Sequence, residues 1–144
     1  MEDVRRIQAL IAAIPFEDNE ADQVAMDEVV DQARRLDDPR RVVPLMFRWM
    51  EEHGQRDLGS PGAFVHFIEE GMDYVPELEA SLSAKPVCIT VWMANRIANG
   101  ETGAGEIKRW IGLLEPVLSH PDADAQCRDD ARDFIDHQSA RLQG

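Results

Sequence analysis

Val87-Cys88-Ile89-Thr90-Val91-Trp92-Met93-Ala94-Asn95-Arg96-Ile97-Ala98 is apolar almost all the way round a helical wheel. A helix without a polar face is a central one, covered by other helices on most sides. On either side of it, Pro and Gly cut the chain into pieces of helical length. Strand-like alternation is absent.

The pieces read as helices for local reasons. Val4, Ile7, Leu10, Ile11 and Ile14 recur at helical spacing until Pro15 stops them. After the polar turn Glu17-Asp18-Asn19-Glu20, a second helix carries Val24, Val29, Val30, Ala33 and Leu36 on its apolar side. Asp38 reads as an N-cap with Pro39 at the first helical position, and Pro44 either kinks the third helix or marks its true start. Ser60-Pro61-Gly62 repeats the cap-then-proline signal, before a helix burying Phe64, Phe67, Ile68 and Met72. A short helix follows from Pro76 through Leu78 and Leu82. Beyond the central helix, Ile107, Trp110, Ile111 and Leu114 mark a seventh. An eighth, from Asp122 or Asp124 to Leu142, has few large apolar groups and reads as a cap on one edge. The expectation is one all-α domain over residues 1–144, with about eight helices in stacked antiparallel hairpins of the solenoid kind.

Charge narrows the function. The formal net charge is −13 at pH 7, a field that repels nucleic acid and anionic membrane and attracts basic partners. The run Pro86–Asn95 is too short to cross a bilayer, and Met1-Glu2-Asp3-Val4-Arg5-Arg6 lacks the start of a secretory signal, so a cytoplasmic location is expected. Cys88 and Cys127 allow at most one disulfide. Between Asp57 and Ala84 stand Asp57, Glu69, Glu70, Asp73, Glu77 and Glu79 with no Lys or Arg. His66, Glu69, Glu70 and Asp73 are spaced three, four and seven apart, which sets them on one face of the helix that buries Phe64 and Phe67. Asp57, His66, Glu69, Glu70, Asp73, Glu77 and Glu79 are therefore the candidate partner-binding residues.

Catalytic and metal chemistry find little support. His53, His66, His120 and His137 lie far apart, and no Cys-x-x-Cys or His-Glu-x-x-His occurs. His66 and Glu69 share a face, but an exposed helix surface accounts for both. Asp122, Asp124, Asp129 and Asp130 lack the central Gly and closing Glu of a calcium loop, and helix capping explains the first two. Ser60 is outside any Gly-x-Ser-x-Gly elbow, and Cys88 lies in an apolar helix where a thiol is inert packing. Gly100, Gly103 and Gly105 lack a Walker lysine. Trp92 and Trp110 read as core, and Trp49 as core or interface. Asn95-Arg96 reads as a pair closing hydrogen bonds at a helix junction. No enzyme, cofactor or metal site is expected.

Leu36-Asp37-Asp38-Pro39-Arg40-Arg41-Val42-Val43-Pro44-Leu45 resembles the turn and second-helix start of HEAT-like repeats. Tyr74, Pro76, Glu77-Leu78, Ser81-Leu82 and Lys85-Pro86 lead to Trp92-Met93 and Asn95-Arg96-Ile97 with Asn99. That order is similar to small all-helical immunity proteins of bacterial polymorphic toxin systems, in particular the family catalogued as immunity protein thirty. The resemblance spans residues 27–99. It implies a protein that binds and neutralises a cognate toxin of the same cell or its kin. An acidic inhibitor in the cytoplasm points to a basic toxin, a nuclease or nucleotide-directed enzyme. The alternative from a different class is a helical scaffold or adaptor for a basic cellular protein.

Overall fold

The computed structural model describes residues 2–70 and 73–144. The fold is all-α: among the described residues there are eight α-helices, two 3₁₀ turns and one two-residue β-hairpin. The chain divides into two compact units, Met1–Glu77 and Leu78–Gly144.

In the first unit, α1 (Glu2–Ala12) leads into the antiparallel pair β1 (Phe16–Glu17) and β2 (Glu20–Ala21). Then come α2 (Gln23–Arg34), a 3₁₀ turn (Pro39–Val42), α3 (Val43–Glu52) and α4 (Ala63–Glu69). Helix α1 packs on both α2 and α3, and α2 packs on α4. Ile7, Met26, Met46, Met50, Phe64, Phe67 and Ile68 form the buried centre. The ends of these elements have local causes. Asp22 caps α2 by accepting the Ala25 N–H at 3.0 Å, and Asp38 caps the 3₁₀ turn by accepting the Arg40 N–H at 3.2 Å. Pro44 lies in the first turn of α3, where its missing N–H has no intrahelical partner to lose, so it marks a start and not a kink.

Val24, Leu36 and Ser60 depart from expectation in this unit; Leu36 lies beyond α2, which ends at Arg34. Val24 is 79% exposed, because α2 opens at Gln23 and its inward positions are Met26, Val29, Val30 and Ala33. Ser60 does not cap α4; the helix opens from Gly62, whose φ of 90° is left-handed. A Cβ there would stand 2.4 Å from the Leu58 carbonyl oxygen, so only glycine fits. Met72 lies outside the described residues.

Helix α5 (Val75–Ala84) bridges the boundary in sequence. The second unit continues with α6 (Cys88–Gly100), α7 (Ala104–Leu114), a 3₁₀ turn (Glu115–Ser119) and α8 (Ala125–Gln143). Helices α6, α7 and α8 pack mutually, and α8 also lies along the 3₁₀ turn. Trp110, Leu114, Met93 and Leu82 are buried there. Trp92 is only half-buried, with the Arg96 guanidinium 5.0 Å from its ring centroid. Thr90, a polar residue in the apolar run, is fully buried: its hydroxyl accepts the Val87 N–H at 3.2 Å and donates to the Val87 carbonyl at 3.0 Å.

Helix α8 is also tied to α6 by side-chain hydrogen bonds. It begins after Asp124, which accepts the Cys127 N–H at 2.8 Å, while Asp122 stays outside the helix. Its buried side chains are small or polar, Cys127, Ala131 and Gln138, and it packs on α6. Gln138 is 0% exposed and donates to Asn95 Oδ1 at 2.8 Å and Asn99 Oδ1 at 2.7 Å. Arg141 donates to Gln138 Oε1 at 2.6 Å and to the Ala98 and Glu101 carbonyls, each at 2.7 Å. It thereby closes the open carbonyl end of α6.

Candidate partner-binding surface

The two units carry very different charge. Residues 1–77 hold eighteen acids and eight bases, a net −10, whereas residues 78–144 hold ten and seven, a net −3. The acidic field belongs to the first unit.

One concentration of acids is at the hairpin. Asp18 and Asn19 have φ of 49° and 70°, the left-handed pair that a two-residue type I′ turn requires and that Asp and Asn tolerate. The turn exposes Glu17, Asp18, Glu20 and Asp22 around a concavity of about 710 Å³ lined by residues 15–18 and 20–23. Aromatic packing anchors it. The Phe16 ring stacks on Trp49 with centroids 5.8 Å apart and lies 4.8 Å from His53; Trp49 meets Phe64 edge-on at 5.1 Å. The Arg56 guanidinium sits 4.3 Å from the Phe16 centroid. Trp49 is thus core. Burial, with Arg56 beside it, holds the His53 imidazole below its ordinary pKa, against a smaller opposing pull from Glu52.

The seven sequence-predicted residues separate into distinct places. Asp57 joins the hairpin: its N–H donates to the Asn19 carbonyl at 2.9 Å and its carbonyl accepts the Ala21 N–H at 2.8 Å. Its carboxylate accepts the Gly59 N–H at 2.9 Å. His66 is exposed and Glu69 half-buried on α4, but the helix ends at Glu69, so the expected four-residue face is cut short. Glu70 follows the last turn and is ion-paired with Arg34 at 2.5 Å. Asp73 lies beyond the helix, exposed.

Asp73 and Glu77 come together with Asp38, Arg40, Arg41 and Pro76 around a groove of about 380 Å³. Arg40 clasps Asp38 there through Nε at 2.9 Å and Nη2 at 3.3 Å, and its hydrogen bond holds that carboxyl below the usual range. Glu77 Oε2 is buried without a hydrogen-bond partner. Glu79 belongs to the second unit, where Arg109 is its ion-pair partner.

Folding brings an arginine from elsewhere in the chain to two of the acids that have none near in sequence, Arg34 to Glu70 and Arg109 to Glu79. The hairpin acids were missed because Glu17-Asp18-Asn19-Glu20 shows only a turn. The Asp-Asn pair was the available signal that this turn closes two strands.

Among the described residues, no group of three or more His, Cys, Asp or Glu is placed to hold a metal ion. No described helix is long and apolar enough to cross a membrane. Cys88 and Cys127 are free thiols, both pushed up to about 12. Burial is the main cause for each, reinforced by the Asp124 and Asp130 carboxylates and, at Cys127, by Cys88. Thiols held protonated in this way are poor nucleophiles. No known protein family, curated protein or solved structure matches the chain.

Proposed function

We propose that the protein is an immunity protein that binds and neutralises a basic, cytoplasm-acting bacterial toxin, a nuclease or nucleotide-directed enzyme. The observation that carries this reading is the net charge of −10 on residues 1–77, with exposed acids at the hairpin and beyond α4. Such a field raises the encounter rate with a cationic protein and turns away nucleic acid that the toxin would otherwise engage. Six of the seven candidates, Asp57, His66, Glu69, Glu70, Asp73 and Glu77, lie in that unit, and the hairpin acids Glu17, Asp18, Glu20 and Asp22 extend the same charge.

The test begins with tagged protein recovered from its native cells and washed at low and then high salt. One stoichiometric basic partner should survive the high-salt wash, and its toxicity on expression should be relieved by this protein. A basic partner without toxicity favours the adaptor function instead. Partners that all leave with salt refute specific recognition, since at about 1 M salt the screening length falls to about 3 Å and attraction between exposed charges is lost. Glu69→Lys, Glu70→Lys and Asp73→Lys combined should abolish protection. The neutral set Glu69→Gln, Glu70→Gln and Asp73→Asn controls for the like charge that Lys at position 70 would bring against Arg34. If the reversed variant protects as well as the wild type, the contact is elsewhere and the hairpin acids are the next set to reverse.

A further inference from the structure

We draw no further inference here: the strongest candidate, the groove between Asp38, Arg40, Arg41, Asp73 and Glu77, belongs to the surface already described, and nothing in the structure shows what would meet its buried Glu77 oxygen.

Discussion

Replacing Gln138 by Leu tests whether the polar contact between α6 and α8 holds the second unit together. The side chain is fully buried, and its loss removes three hydrogen bonds, to Asn95, Asn99 and Arg141. They are unequal. Asn99 is exposed, so water replaces its lost donor at little cost. Asn95 is half-buried, and its orphaned oxygen costs about 1–2 kcal/mol. Arg141 keeps the Ala98 and Glu101 carbonyls, so the missing third bond costs about 1 kcal/mol. Leucine recovers about 1 kcal/mol, since no amide has to be desolvated.

The net is a destabilisation of about 1–2 kcal/mol, read as a fall of roughly 0.5–1 M in the urea midpoint at unchanged slope. Adding Asn95→Leu removes the orphan and should return part of the loss, so the double variant is less destabilised than the two single losses together. A single variant within about 0.5 kcal/mol of wild type would refute the reasoning. So would strict additivity in the double variant, because it would mean that Asn95 and Gln138 do not depend on each other.

Four further outcomes follow from other sites. Gly62→Ala forces a side chain into left-handed backbone and against the Leu58 carbonyl, and should cost at least ~2 kcal/mol. Gly112→Ala, inside α7 with nothing within 4 Å, should instead stabilise by about 0.5–1 kcal/mol; equal shifts in urea melts would contradict both. Cys88 and Cys127 should resist a thiol–disulfide reagent at pH 8 in the native protein and react together on unfolding. Labelling of native protein at the rate of a free thiol would show that burial does not protect them. His53 is depressed in the folded state, so its contribution is fully present above its ordinary pKa of about 6.5 and is lost as pH falls from there through the folded value. Stability should drop between pH 7.5 and 5.5, and less in His53→Gln; equal drops would exclude His53 as the cause.

What the sequence by itself determined is the set of helices. Asp38-Pro39, Pro44 in the first turn of α3 and Asp124 ahead of α8 act on groups two to four residues away, and so do the apolar residues at helical spacing. Such interactions are complete within one stretch of chain, so they can be read from it. The exceptions are instructive. Val24 faces outward although it fits an apolar pattern, because the direction of α2 is set by what it packs on. Gly62, not Ser60, opens α4, at a position the Leu58 carbonyl crowds so that only glycine fits.

The candidate surface was legible only as composition. Tertiary structure decided that Glu70 meets Arg34 and Glu79 meets Arg109, that Asp57 lies along the hairpin, and that Asp73 and Glu77 share a groove with Arg40 and Arg41. It also decided that Gln138, a polar residue in a polar helix, is buried against Asn95. The physical reason is common to all of them. A charge or an amide takes whichever partner the folded chain brings within about 3 Å, and that partner can be dozens of residues away. Spacing along the chain carries the helical repeat, but it carries no record of which distant cation arrives.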